Sequence, residues 1–182
     1  LEGQDPALPV LMIGSHLDSQ PYGGRFDGVA GVLCAIEAVK AFTEQGMVSQ
    51  RSIEVVSFAD EEGWRFTKGL FGSRGILGKL EPGELQRTDK DGITREQALI
   101  DFGCDPVKFK ESEYKPGSIF CFLDLHLEQG PILDIANKPI GVVSGISVPL
   151  WLTVKLKGMA GHTGSVPMHL RKDALLGAAE II

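Results

Sequence analysis

Cysteine, clustered basic side chains and long apolar runs are all scarce in this sequence of 182 residues. The few cysteines, Cys34, Cys104 and Cys121, lie far apart and form no CxxC pair. Neither a disulfide framework nor a cysteine-ligated zinc site is therefore indicated. This usage of cysteine favours a reducing, cytoplasmic setting.

Charge and hydropathy argue against two classes of partner. Lys and Arg are scattered and the formal net charge is −6, whereas nucleic-acid binding needs grouped basic residues. No apolar run approaches the roughly 18 residues that cross a bilayer. The opening LEGQDPALP also lacks the basic and apolar parts of a signal peptide. We expect no nucleic acid, no membrane association and a small-molecule ligand.

Strand-like and helix-like segments alternate along most of the chain. LPVLMIG predicts a buried strand, and VAGVLCAIEAVKAFTEQG places apolar residues at helical spacing. Further strands are predicted over 51–59 and 118–133, and short helices at GLFGSRGILGKL and REQALIDF. No chemistry is assigned to the mixed stretch 67–113. The alternation predicts an α/β domain with a mostly parallel sheet flanked by helices.

A second unit is predicted to begin near residue 148. There LWLTVKLKGMAGHTGSVPM and then RKDALLGAAEII read as a strand, a glycine-rich turn and the start of a helix. The helical pattern is still in progress at Ile182. We therefore expect two incomplete domains, over 1–147 and 148–182.

The loop after the first predicted strand, GSHLDSQPYGGRFDG, presents a histidine and two aspartates among glycines. A solvated turn, a helix cap and a metal site all explain it. Asp27 is of a residue type favoured at the N-cap of a helix starting at Gly28. His16 is a better ligand candidate with Asp18 nearby, because that carboxylate can accept the second imidazole N–H and fix the tautomer.

Similar side chains follow the other two predicted strands. Glu61 and Glu62 come after the second strand, and His126 lies at the far end of the third. Adjacent side chains at a strand end diverge, so one glutamate can bind a metal while the other faces its water. A solvated acidic turn explains the pair as well. Nitrogen and oxygen ligands without thiolate suit Zn, Mn, Co or Ni, which keeps a metal-dependent hydrolase open beside the structural interpretations.

Several blocks resemble the M20-type metal-dependent amidohydrolases, in the branch of N-carbamoyl-L-amino acid hydrolases, allantoate amidohydrolases and β-ureidopropionases. They are GSHLDSQPYGGRFDGVAGVL, SFADEEGWRFTKGLFGSRGILG, FLDLHLEQGPIL, PIGVVSGI and GMAGHTGSVPMHLRKDALLGAAEII. EQGP and GGRFDG separate this branch from ordinary M20 peptidases. The resemblance implies a catalytic domain followed by the start of a smaller α+β lid and dimerisation domain. It also implies a homodimer through that domain and a ureido or amide substrate.

The resemblance further implies a centre of two divalent metal ions, Zn, Mn, Co or Ni. His16 and His126 would bind one ion, Asp27 would bridge both ions, and Glu62 would bind the other. The peptide bond between Asp27 and Gly28 would be cis, a rare conformation that persists under functional constraint.

The remaining implied roles belong to side chains around the ions. Glu61 would be the general base, and Asp18 would orient His16. His162 would reach the substrate from the lid domain and stabilise the developing oxyanion, while Gln129 would face the substrate. Without the resemblance, an exposed polar residue in a turn is the favoured interpretation of His162.

Other functions remain open on the same fold. An M20 exopeptidase or aminoacylase would use the same ions on a peptide. A non-catalytic fragment or interaction module would tolerate loss of Glu61, which is present here. Asp60 replaces the asparagine that carbamoylases tend to carry, which favours an allantoate-type substrate. Because the resemblance places further ligands beyond Ile182, we expect this 182-residue chain alone to be inactive and to hold at most one ion.

Overall fold

A computed structural model describes residues 1–148, 150 and 152–182 of the chain. These residues form two compact units, Leu1–Ala136 and Asn137–Ile182. The units are defined by contacts within the chain, so the assignment of 1–147 and 148–182 to two functional domains stays a prediction.

The first unit is built on a three-stranded sheet with the strand order β2-β1-β3. The strands are β1 (Val10–His16), β2 (Ile53–Phe58) and β3 (Ile119–Leu123). β1 is central and pairs in parallel with both neighbours. All three carboxyl ends therefore reach the same edge of the sheet, which confirms the predicted parallel α/β architecture.

Helices connect the strands and cover the sheet. Parallel neighbours need a crossover of about a dozen residues or more, and a long helix supplies it between β1 and β2. The helices of this unit are α1 (Val29–Glu44), α2 (Phe71–Ile76), α3 (Arg95–Asp101), a 3₁₀ helix (Pro106–Ser112) and α4 (Ile132–Ile135). Met12, Val32, Ala35, Ile53 and Phe58 are buried between sheet and helices.

Two strands differ in length from the sequence prediction. β1 extends to His16, because His16 still pairs with Phe58 of β2. β3 ends at Leu123 rather than continuing to 133. The segment after Leu123 alternates like a strand in sequence, but its backbone is not paired to a neighbouring strand within the described residues. The helix predicted at REQALIDF is confirmed, and Thr94 caps it by accepting the Gln97 N–H at 3.1 Å.

The second unit contains a 3₁₀ turn (Met168–Leu170) and the short helix α5 (Ala174–Ala179). Asp173 caps α5 by accepting the backbone N–H of Leu175 at 2.9 Å. Of the helices in the described residues, none combines the length and the apolar character that crossing a bilayer requires.

The strand predicted at the start of LWLTVKLKGMAGHTGSVPM is not formed by the described residues of this unit. A strand needs a repeating ladder of backbone hydrogen bonds. The described part of this segment makes a single bond of that kind, from the Met159 N–H to the Lys172 carbonyl at 2.9 Å. Pro149, next to the predicted domain boundary, and Trp151, inside the predicted strand, lie outside the described residues.

Candidate metal and acid–base site

The carboxyl edge of the sheet gathers side chains from three distant segments. His16 is the last residue of β1, Glu61 follows β2, and His126 follows β3. All three line one cavity of about 470 Å³. Ligands typically bind at this edge of an open parallel sheet, so the cavity is the candidate binding and catalytic site.

A group of three metal-competent side chains lies at this edge. Single donor atoms of His16, Asp27 and His126 all lie within 4.8 Å of one another. The His126 Nε2 atom is 3.2 Å from Asp27 Oδ1, and the two imidazole centroids are 5.8 Å apart. Two imidazoles and one carboxylate fit borderline divalent cations such as Zn, Mn, Co or Ni.

Backbone carbonyls determine which nitrogen of each imidazole is available. His16 Nδ1 lies 2.7 Å from the Asp18 carbonyl, and His126 Nδ1 lies 3.0 Å from the Leu127 carbonyl. A carbonyl only accepts hydrogen bonds, so each Nδ1 carries the proton. The Nε2 lone pair of each ring is then available to a cation, which is the arrangement usual for ligating histidines.

Asp18 orients His16 by a different atom from the one expected. Its carboxylate Oδ1 is 3.8 Å from His16 Nδ1, and the carbonyl makes the close contact instead. The two carboxylate oxygens accept the backbone N–H groups of Glu61 at 3.1 Å and Glu62 at 3.0 Å. Two successive N–H groups match the two oxygens of one carboxylate, so Asp18 connects the end of β1 to the turn after β2.

Asp27 is not the N-cap that its residue type suggests. Gly28 occupies the N-cap of α1 without a side-chain cap bond, while Asp27 Oδ1 accepts a hydrogen bond from Gln129 Nε2 at 2.8 Å. The expected cis bond between Asp27 and Gly28 is wrong, since the described residues contain no cis peptide bond. The chain turns instead at Gly28, whose φ is +65°, a conformation that glycine adopts without steric cost. A Cβ at Gly28 would lie 2.4 Å from His16 Nδ1.

The two adjacent glutamates occupy different environments. Both carboxylate oxygens of Glu61 accept from the Ser73 hydroxyl, at 2.9 and 3.0 Å. Burial raises the pKa of the Glu61 carboxyl, and the hydrogen bonds from Ser73 offset part of that rise. Glu62 points elsewhere: its exposed carboxylate accepts from Gln20 Nε2 at 2.9 Å. Glu62 does not belong to the three-residue ligand group.

His162 lies in the second unit, in an exposed turn. Its Nδ1 accepts the backbone N–H groups of Gly164 at 3.1 Å and Ser165 at 3.2 Å. Since backbone N–H groups only donate, the ring proton is on Nε2. The His162 carbonyl also accepts from the Arg171 guanidinium at 3.2 Å. The turn thus holds the imidazole as a hydrogen-bond donor at Nε2.

The chain resembles known proteins in both sequence and structure. Residues 12–181 match the sequence profile of the family described as Peptidase family M20/M25/M40. The chain belongs to this family. The resemblance of the quoted blocks to M20-type proteins is therefore confirmed.

Relatives of this M20 chain carry amidohydrolase and deiminase names. It is 54% identical to an N-carbamoyl-L-amino-acid amidohydrolase of Pseudomonas sp. (strain NS671), over 100% of this chain and 44% of that protein. It is 38% identical to an allantoate deiminase of Arabidopsis thaliana, over 100% of this chain and 35% of that protein. A hydantoinase/carbamoylase family amidase from Burkholderia ambifaria has a similar structure, with a TM-score of 0.76 and 35% sequence identity. The match covers 100% of this chain and 43% of that protein. The chain thus spans less than half the length of these relatives.

A buried set of charges supports the turn that carries the glutamates in this M20 chain. Arg95 is 1% exposed and Glu84 is 3% exposed. The Arg95 guanidinium lies 2.6 Å from Glu84 and 2.7 Å from Asp60, directly before Glu61. It also lies over the Phe71 ring, 4.2 Å from the centroid. The sequence prediction assigned no chemistry to 67–113, and no periodic signal marks these partners.

The pKa values of two carboxyl groups in this set are shifted in opposite directions. Burial raises the pKa of Asp60, and the attraction of Arg95 offsets only part of that rise. Burial acts the same way on Glu84, but hydrogen bonds and charge from Arg74 and Arg95 outweigh it and lower the pKa to about 2. Glu84 is therefore held as an anion, and Arg95 links it to Asp60 in the turn that carries Glu61 and Glu62.

Proposed function

We propose that the protein hydrolyses a linear amide or ureido C–N bond with a metal-activated water. The observation that carries the proposal is the group His16, Asp27 and His126 at the same sheet edge as Glu61, in a single cavity lined by both histidines and Glu61. The relatives named for N-carbamoyl-L-amino acids and for allantoate support those two substrate classes. A homodimer through the lid domain and a cytoplasmic setting belong to the same proposal.

His16 and His126 would hold one divalent ion through Nε2, with Asp27 as the carboxylate ligand. Asp27 and Glu62 would contribute to a second ion, and for Glu62 this role rests on the family resemblance, since it lies outside the three-residue group. A bound divalent ion lowers the pKa of a coordinated water and polarises a carbonyl group. Zn, Mn, Co and Ni all suit these donors.

Glu61 would move the proton. Its carboxyl is partly buried and its pKa is raised by that burial, and a pKa nearer neutrality suits a group that both accepts and returns a proton at pH 7. In the reaction the water oxygen bonds to the substrate carbonyl carbon, and Glu61 accepts the water proton. The C–N bond then breaks as Glu61 returns that proton to the leaving nitrogen.

The other predicted side chains would position the substrate and its charge. His162 presents a protonated Nε2, because Nδ1 accepts two backbone N–H groups. Such a donor suits the oxyanion of a tetrahedral intermediate, and we assign His162 that role from the lid domain of the dimer. Gln129 contacts Asp27 at 2.8 Å, so it would hold that ligand as well as face the substrate.

The full-length gene product provides the test. Ammonia release is measured from an N-carbamoyl-L-amino acid and from allantoate, and amino acid release from a dipeptide and an N-acyl amino acid, each with and without added Mn²⁺. Glu61→Gln should lower kcat about 10²–10⁴-fold with bound metal unchanged. Glu37→Gln, on the exposed face of α1, is the matched control and should behave as wild type.

Each outcome separates the proposed function from its rivals. Cleavage of dipeptides or N-acyl amino acids without ammonia release from either ureido substrate would establish an exopeptidase or aminoacylase. A metal-loaded protein with no activity on any of these substrates would point to a non-catalytic module. Retention of wild-type kcat by Glu61→Gln would remove Glu61 from the mechanism.

A further inference from the structure

We propose that Ser73 is a positioning residue that holds the Glu61 carboxylate in the cavity, an inference that rests on the function proposed above. The Ser73 hydroxyl lies 2.9 and 3.0 Å from the two carboxylate oxygens of Glu61. Both residues line the cavity that His16 and His126 also line. Nothing in the spacing of the sequence marks this serine, because its partner lies twelve positions earlier on a different element.

Main-chain hydrogen bonds hold the backbone around Ser73, and the Ser73 hydroxyl adds a longer contact of 3.3 Å to the Leu70 carbonyl. The start of α2 and the residue before it bond back to the segment after β2. The Leu70 N–H donates to the Glu61 carbonyl at 2.8 Å, and the Gly72 N–H donates to the Ala59 carbonyl at 2.9 Å. A Cβ at Gly72 would lie 2.6 Å from the Ala59 nitrogen. Glycine permits this close approach, which places the Ser73 hydroxyl beside the glutamate.

The hydroxyl restrains a part of Glu61 that no backbone contact controls. Asp18 accepts the Glu61 N–H at 3.1 Å and so fixes the main chain, but three rotatable bonds separate that main chain from the carboxylate. Among the described residues, the side-chain hydrogen bonds to this carboxylate come from Ser73. A base held in the productive geometry before the substrate binds needs no ordering during the reaction.

The test compares variants of the full-length, metal-loaded protein on its best ureido substrate. Ser73→Ala removes the hydroxyl, and Ser73→Cys keeps the volume with a weak donor. Each should lower kcat about tenfold, the effect of losing a hydrogen bond to a charged group, with KM and bound metal unchanged. Ser73→Thr keeps the hydroxyl and should restore kcat. Ser112→Ala is the matched control, because within the described residues the Ser112 hydroxyl bonds to the nearby Phe109 carbonyl at 2.6 Å.

Several results would overturn the inference. Wild-type kcat in both Ser73→Ala and Ser73→Cys would show that the hydroxyl does not matter. A rise in KM at constant kcat, or a loss of bound metal, would assign Ser73 to substrate binding or to the fold. Wild-type protein without hydrolytic activity would refute the proposed function and this inference with it. Active wild type with unaffected Ser73 variants would refute this inference alone.

Discussion

Replacement of Arg95 by methionine should destabilise the first unit by leaving a partly buried carboxylate without its cation. Arg95 is 1% exposed and donates to Asp60 at 2.7 Å and to Glu84 at 2.6 Å. Methionine keeps much of the apolar length but none of the donors. Asp60 would then lose its guanidinium partner at the base of the turn that carries Glu61.

The expected loss can be worked out from the partners that remain. Removing one member of a buried ion pair costs about 3–5 kcal/mol, because the other charge is left uncompensated. Glu84 keeps Arg74 at 2.5 Å and Arg87 at 3.4 Å, so the stranded charge is that of Asp60. The lower end of the range, about 3 kcal/mol, is therefore expected. At roughly 2–4 °C per kcal/mol, Tm should fall by about 6–12 °C.

Thermal and urea unfolding, followed by circular dichroism, measure this loss against a matched surface variant. The Arg65 guanidinium pairs with Asp89 at 3.0 Å, and its side chain is 49% exposed. Arg65→Met should cost at most about 1 kcal/mol, because the Asp89 carboxylate keeps its hydrogen bonds from the backbone N–H groups of Asp91 at 3.0 Å and Ile93 at 2.9 Å. Equal losses of unfolding free energy in Arg95→Met and Arg65→Met would refute the reasoning.

A double variant tests the stranded charge itself. Asp60→Asn removes the charge that Arg95→Met leaves unpaired, so the double variant should be more stable than Arg95→Met alone. If adding Asp60→Asn lowers stability further, lost packing against Phe66 and Phe71, which lie 4.9 and 4.2 Å from the guanidinium, explains the cost instead.

Three further predictions follow from the same contacts. The pKa of Glu84 is lowered from 4.5 to about 2, so its ionised form stabilises the fold above the unfolded pKa, and this stability is lost as the pH falls from about 4.5 towards 2. The unfolding free energy of Glu84→Gln should therefore vary less with pH over that window than that of the wild type. An unchanged slope would contradict the ion pairing of Glu84. Gly28→Ala should weaken metal binding at least about tenfold in a calorimetric titration, because the added Cβ would clash with His16. Gly46 has a similar φ of +67° but open space around it, so Gly46→Ala is the control and should bind metal as the wild type does. Metal analysis of the 182-residue polypeptide should find no more than one tight equivalent, and two would contradict the ligand geometry.

The sheet and the site edge were predictable because they depend on local patterns and one general rule. Apolar runs ending in glycine or acidic residues marked β1 and β2, and helical spacing marked α1. Parallel strands place their carboxyl ends together, so His16 and His126 could be expected near each other although 110 positions separate them in the sequence.

Other features could not be predicted because they depend on contacts rather than on patterns. LDLHLEQ alternates like a strand, yet β3 ends at Leu123 because pairing partners, not alternation, define a strand. The carboxylate of Asp18 accepts a backbone N–H from the turn after β2, where Asp60 has a φ of +51°, and neither feature has a signature in the spacing of the sequence. Arg95 finds its partners 11 and 35 positions away, a separation with no periodic signature.

The central position of β1 has a consequence for the order of events during synthesis. The candidate ligand atoms of His16 and Asp27 are synthesised long before His126, which comes close to them when β3 pairs with β1. Closing a loop of this length is entropically costly and slows folding. In the proposed metal site, ion binding would therefore be a late step that follows the pairing of β3 with β1. A fluorescent or absorbing metal at this group would then report on sheet assembly in real time.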